Sequence, residues 1–114
     1  MRHILLAAAV TFFASSAMAA SPYINCGAAR TTDERTICRS VVLVQMDAEM
    51  STLYRVTKGL VAMGQRGEIQ DDQAEWLRER RACGASFTCL RNTFRERIRQ
   101  LDEIVDRVQE GGPY

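Results

Sequence analysis

The sequence predicts an all-α domain, a small disulfide-stapled helical hairpin or bundle of three to four helices, and three observations carry that reading. Apolar residues recur at steps of three and four along two stretches, four cysteines sit in a chain with an export-type start, and no segment alternates with the period of a strand. There is no internal repeat and no low-complexity run after the first 19 residues.

Taken in chain order, Met1-Arg2-His3 supplies a short basic start, Ile4 to Ala14 an apolar stretch and Ala17-Met18-Ala19 a small-x-small ending. Residues 1–19 therefore read as a cleaved signal peptide, with Ala20 as the first mature residue and 20–114 as one domain. The eleven apolar residues are too few for a membrane-crossing helix, which needs about 20, and nothing downstream is longer. No stable membrane insertion is expected after cleavage. A lipoprotein would carry a cysteine directly after the cut, whereas the first cysteine here is Cys26. The expected location is the periplasm or the medium.

Losing Arg2 takes the basic count from 15 to 14, level with the 14 acidic residues, so the mature chain is formally neutral. That balance argues against a general nucleic-acid binder, which must neutralise phosphates. The sole histidine, His3, leaves with the leader, so the mature domain has no imidazole for general-base work near neutral pH or for metal ligation. No Gly-rich phosphate loop, nucleophile elbow or metal-ligand spacing is present. Neither enzyme activity nor a cofactor or metal is expected.

The first mature helix is expected to start at Thr32, with Asp33 and Glu34 at the favourable end of its dipole. Ser40 either caps a new helix or lies within one long one. Leu43, Met46, Met50, Leu53 and Leu60 then form a helical stripe running to about Met63, where Gly64 and Gly67 predict a stop and an exposed connection. A second long helix is expected from Asp71-Asp72 to Cys83, ended by Gly84. Ser86 caps the last helix, whose stripe of Phe87, Leu90, Phe94, Ile98, Leu101, Val105 and Val108 is the clearest periodic signal in the chain. Gly111-Gly112-Pro113 ends it.

Cys26, Cys38, Cys83 and Cys89 are an even set in a chain bound for an oxidising compartment, which favours two disulfides. On an unbroken helix Cys83 and Cys89 would lie about 240° apart and 9 Å along the axis, too far for the roughly 4.4–6.8 Å Cα separation of a disulfide. Gly84-Ala85-Ser86 offers a break that would let them meet. The preferred pairs are Cys83–Cys89 and Cys26–Cys38, with the crossed pairing of Cys26 to Cys89 and Cys38 to Cys83 left open. A structural role is expected, since no C-x-x-C redox spacing occurs.

One pattern resembles a known family. Asp33-Glu34-Arg35-Thr36-Ile37-Cys38, Met46-Asp47, Leu53-Tyr54, Gln73-Ala74-Glu75-Trp76-Leu77 with Arg80 and Cys83-Gly84, and then Cys89-Leu90 resemble the LprI-like lysozyme-inhibitor N-terminal domain, formerly a domain of unknown function of secreted and periplasmic bacterial proteins. The resemblance spans about residues 25–101. Its most specific part is the block Q-x-x-W-x-x-x-R-x-x-C-G with a further cysteine six residues on. The family commonly breaks with Asp-Pro after its second cysteine and has a leucine before the aspartate, where this chain has Arg39-Ser40 and Met46. The resemblance implies a small helical secreted protein that inhibits a lysozyme by direct binding. The alternative is a non-inhibitory envelope interaction module of the same fold.

Gln73, Trp76, Arg80 and Cys83 share one helix face, with Tyr54 and Asp47 as neighbours on another helix. As a binding surface, Trp76 and Arg80 would be its anchors. As core, Trp76 would be packed inside, Arg80 would stack on it or pair with Asp47, and Gln73 would bond to backbone. Val41-Val42-Leu43-Val44 spreads apolar groups over every side of a helix, so some of them are either covered by the N-terminal arm or open for self-association. Arg91, Arg95 and Arg99 form a ridge that is either solvated or a docking surface for an acidic target, and Glu103 to Arg107 is a favourable i,i+4 pair.

Overall fold

A computed structural model describes residues 24–111. The signal-peptide reading of 1–19, the start at Ala20 and the stop at Gly112-Pro113 lie outside the described residues. A 3-10 turn at Cys26–Ala28 leads into α1 (Thr32–Cys38), α2 (Val41–Leu60), α3 (Met63–Ala82) and α4 (Phe87–Gly111). The described residues hold no strand, and the all-α expectation stands.

Helix α1 begins at Thr32, where its sequence suggests, and Thr31 is its cap. Thr31 Oγ1 accepts from the Glu34 N–H, and Glu34 Oε2 accepts in return from the N–H groups of Thr31 and Arg30, at 3.4 and 2.7 Å. This reciprocal box satisfies three donors that a bare helix start would leave to water. The helix ends at Cys38, and Ser40 Oγ accepts from Leu43 N–H at 3.2 Å to open α2. Ser40 therefore separates two helices, and the chain turns there without proline.

The corner between α2 and α3 differs from the sequence expectation. Helix α2 stops at Leu60, and Val61 and Ala62 are extended. Helix α3 starts at Met63, so Gly64 and Gly67 lie within it and Asp71-Asp72 fall well inside rather than at its start. Two contacts hold this tight corner. The Arg66 guanidinium donates to the Lys58 carbonyl at 3.0 Å, occupying an acceptor at the end of α2, and the Val61 side chain is buried. Together they outweigh helical glycine, which costs about 1 kcal/mol per residue relative to alanine. At the next corner Gly84 does need to be glycine, with φ +55 in the left-handed region. Ser86 Oγ then accepts from Cys89 N–H, and α4 begins as its sequence predicts.

Helices α2, α3 and α4 run up, down and up, and α2 packs principally on α4. Leu43, Met50, Leu90, Phe94 and Leu101 are fully buried between them. Each contributes about 1.5–3 kcal/mol of transfer free energy. Both disulfides and α1 gather at one end of this bundle, where Cys26 joins Cys38 and Cys83 joins Cys89 with Cα separations of 5.6 and 5.5 Å. The preferred pairing is the one found, and the crossed one is not.

The stripe of α4 departs from its sequence reading at two places. Phe87 is 41% exposed, with the Arg91 guanidinium 5.8 Å from its ring centre. Arg97, not counted among the apolar residues, is only 2% exposed. Glu103 pairs with Arg99 instead of Arg107.

Candidate functional site

The inner face of α3 carries Ile69, Gln73, Trp76 and Arg80, so half of what it sends into the core is polar. Burying such groups costs stability unless each finds a partner. Arg80 Nε donates to Asp33 Oδ2 at 2.9 Å, joining α3 to α1 through side chains that are 8% and 1% exposed. Its guanidinium also lies 5.7 Å from the Trp76 ring centre, and Glu34 stands 3.9 Å away. The core reading of Arg80 is thus correct in stacking on Trp76 but wrong in its ion-pair partner. Asp47, fully buried, instead accepts the Ile24 N–H at 3.1 Å and ties the N-terminal arm to α2.

Burial pushes the Asp33 carboxyl up, yet hydrogen bonds from the Thr31 hydroxyl and Arg80, together with the Arg80 charge, leave it below its ordinary value. Glu34 is held down first by the Arg30 N–H. Trp76 Nε1 donates to the Thr93 carbonyl at 3.0 Å, and its ring meets Phe94 at 5.3 Å and 59°. Tyr54 is buried, which raises its hydroxyl against the opposing charge of Arg97, and Lys58 Nζ stands 4.2 Å over its ring.

Gln73 bonds to side chains rather than to backbone. Its amide nitrogen contacts Met50 Sδ at 3.3 Å, and its Oε1 accepts from Arg97 Nε at 2.9 Å. Arg97 further donates to the Ile69 carbonyl at 3.2 Å and to Gln100 at 3.1 Å. Among the described residues no carboxylate lies within 4.0 Å of it. Burial draws the Arg97 guanidinium below its ordinary value, and Asp72, Tyr54 and Glu79 act in the opposite direction.

The five residues that could have formed a binding face, Asp47, Tyr54, Gln73, Trp76 and Arg80, are therefore all interior and engaged with the domain's own helices. Sequence reasoning passed over Asp33 as an ordinary helix-start acid, and it passed over Arg97. Both had a signal. Asp33 is four residues before buried Ile37, and Arg97 is three after Phe94 and four before Leu101, so each lies on a core-facing stripe.

What faces outward above this spine is a cleft between α3 and α4. One part, about 380 Å³, has Asp72, Glu75 and Glu79 on its α3 side and Glu96 and Glu103 on its α4 side. Trp76, Arg97 and Ile104 also line it. A second part, about 410 Å³, shares Asp72, Ile104 and Arg107 with the first and adds the apolar Val61, Ile69 and Val108 together with the polar Gln65 and Glu68. The described residues balance in formal charge, but this cleft is acidic. Glu75 pairs with Arg78, and Glu96 and Glu103 share Arg99, whose proton they hold more firmly than usual. Asp72 and Glu79 make no ion pair within 4.0 Å among the described residues.

Elsewhere the surface is plainer. A hollow of about 300 Å³ beside Arg80 and Arg81 also contains Glu34, so its charges nearly cancel. Val41 and Val42 are 75% and 48% exposed, while Leu43 is buried and Val44 half-buried, which divides the valine run between solvent and core. Arg95 and Arg99 of the arginine ridge are exposed, but Arg99 is engaged by glutamates and Arg91 is half-buried. Among the described residues no cluster of three histidine, cysteine or acidic side chains could hold a metal ion. No described helix is long and apolar enough to cross a membrane. Set against known proteins, the chain matches no family model, no curated protein and no solved structure.

Proposed function

We propose that this is an exported bacterial binding protein that inhibits a lysozyme by direct contact. The observation that carries the reading is the acidic α3/α4 cleft on an otherwise neutral domain. Lysozymes that attack bacteria are typically basic, and a neutral inhibitor gains little long-range steering from net charge. Carboxylates gathered on one face restore that attraction locally, raising the association rate in low salt. The resemblance of the tryptophan block and cysteine spacing to the LprI-like family supports the same reading. The two disulfides fit an oxidising compartment, the periplasm or the medium.

The test is direct. Purified protein lacking residues 1–19 should slow cell-wall lysis by at least one lysozyme at near-stoichiometric concentration, and the effect should weaken as salt is raised. Undiminished lysis by chicken-type, goose-type and invertebrate-type enzymes removes lysozyme from the proposal.

A second reading, a non-inhibitory envelope module that self-associates, draws on Val41 and Val42 standing open to solvent at the start of α2. Light scattering after size exclusion decides it. A dimer abolished by Val41→Ser with Val42→Ser supports the second reading, and a monomer at high concentration removes its basis.

A further inference from the structure

We propose that the α3/α4 cleft is a docking groove for a cationic amphipathic segment of a partner protein, its acidic half receiving an arginine or lysine and its apolar half the neighbouring apolar side chain. The inference rests on the binding reading above but not on the partner being a lysozyme. It adds the chemistry of the segment that enters.

Three features select this occupant. The two parts of the cleft are continuous, since they share Asp72, Ile104 and Arg107, so one ligand segment can fill both. The acidic half contains Asp72 and Glu79, which make no ion pair within 4.0 Å among the described residues and feel only the buried Arg97 charge at longer range, so an incoming cation gains attraction without first displacing a bonded one. The other half combines an apolar floor of Val61, Ile69, Ile104 and Val108 with a polar rim that includes Gln65 and Glu68; Ile104 and Val108 remain half-exposed and would lose contact with water under an apolar side chain.

The arrangement also excludes other ligands. Arg97 is buried and already donates to three acceptors, so the groove offers no free cation for a phosphate or carboxylate except Arg107 at the junction. An acidic segment would meet six glutamate and aspartate side chains. A purely apolar one would leave the carboxylates desolvated without a partner, which is unfavourable. From Gln100 in the acidic half to the midpoint of Ile104 and Val108 is about six residues, or roughly 9 Å along α4 at 1.5 Å per residue. A bound helix would bridge that span with a basic and an apolar side chain two turns apart.

The probe is a fluorescein-labelled helical peptide with arginine and leucine two turns apart on one face. One control replaces the arginine by glutamate and the other replaces the leucine by serine. Fluorescence anisotropy should show binding of the first peptide that weakens with salt, and binding about tenfold weaker or less for each control. Asp72→Asn with Glu79→Gln should weaken the arginine peptide by about tenfold and flatten its salt dependence, since both side chains are exposed and their loss leaves the core intact. Val108→Ser should weaken it several-fold without changing the salt dependence, with circular dichroism confirming the fold of each variant. Equal binding of the glutamate peptide, or unchanged binding by the double variant, overturns the groove.

The two proposals fail separately. Lysozyme inhibition that the Asp72→Asn, Glu79→Gln variant retains in full overturns the groove and leaves the binding protein. Peptide binding with no lysozyme slowed keeps the groove and removes lysozyme as the partner.

Discussion

The two ends of the bundle are built on different principles. At one end α1 is strapped across the helices by Cys26–Cys38, by the Asp33–Arg80 pair and by the Ile24 N–H on Asp47, while Cys83–Cys89 closes the α3/α4 corner. At the other, Val61 and Ile69 face an open cavity, Leu60 and Met63 are exposed, and α3 starts at Met63 after Ala62, which offers no side-chain cap. Cross-links and buried charge fix the first end, while the second is held by packing and the single Arg66 to Lys58 carbonyl hydrogen bond. The contrast places the rigid anchor of the domain away from the apolar half of the cleft, so that half can adjust to a ligand without loosening the frame. Hydrogen exchange should accordingly be faster in residues 58–68 than in residues 31–38.

The largest test of the stapled end is Arg80→Met. It leaves the Asp33 carboxylate buried and unpaired, which costs about 3–5 kcal/mol, a large part of a stability expected at about 5–10 kcal/mol. Adding Asp33→Leu should return most of the loss, because no charge then remains to be compensated. Urea denaturation of the three proteins measures this, and a double variant as unstable as the single would show that the pair is not the cause. The pH response carries its own sign. In the native protein the folded Asp33 carboxyl lies below its ordinary 3.8, so its stabilisation is complete above that value and is lost as pH falls through the lower folded one. In Arg80→Met burial is opposed only by the Thr31 hydroxyl and the Glu34 N–H, the folded value rises, and the loss of stability between pH 7 and acid should shrink.

Opening the disulfides is the next step down. Cys26→Ser with Cys38→Ser, closing a separation of 12 residues, should cost about 3 kcal/mol, and Cys83→Ser with Cys89→Ser, closing 6, about 2 kcal/mol in the chain-entropy description. Thermal melts under oxidising conditions read both. Exchange protection should fall at 31–38 for the first pair while 58–68 changes little, which would confirm that the two ends are held independently.

Much of this division was visible in the sequence, and the parts that were not have physical causes. Helix geometry favoured the pairing found, because a break at Gly84 lets Cys83 reach Cys89, while the crossed pairing stayed open until the fold was known. Helix α4 followed from its periodicity. The α2/α3 corner did not, since Gly64 and Gly67 signal a loop locally while Arg66 and Val61 hold a helix through contacts made only in the folded chain. Gln73, Trp76 and Arg80 do share a face, and of the two readings offered for it, core and binding surface, the core one is found, though not with the partners expected. A polar stripe reads as a surface until the partner of each member is known, and those partners, Asp33 and Arg97, are 47 and 24 residues away from Arg80 and Gln73 in sequence. The acidic cleft was illegible for the same reason, because its carboxylates come from two helices whose facing is set by packing.

The smallest test concerns the unstapled end and has the opposite sign. Gly64 and Gly67 lie in the first turns of α3, and a methyl group added at either would meet nothing within 4 Å. Neither has the positive φ that makes Gly84 irreplaceable. Alanine at each position should therefore stabilise the domain by about 0.5–1 kcal/mol, through a less disordered unfolded chain and a stronger helix start. Gly84→Ala, with equal space around it, should instead destabilise by about 1–2 kcal/mol because of its left-handed backbone. If the glycines at 64 and 67 serve only as a tolerated weakness, Gly64→Ala with Gly67→Ala should raise the melting temperature and leave peptide binding in the cleft unchanged. If stiffening this corner weakens binding of the arginine and leucine peptide while the Asp72 and Glu79 carboxylates are intact, then the looseness of the end lacking disulfides is itself part of how the cleft admits its ligand.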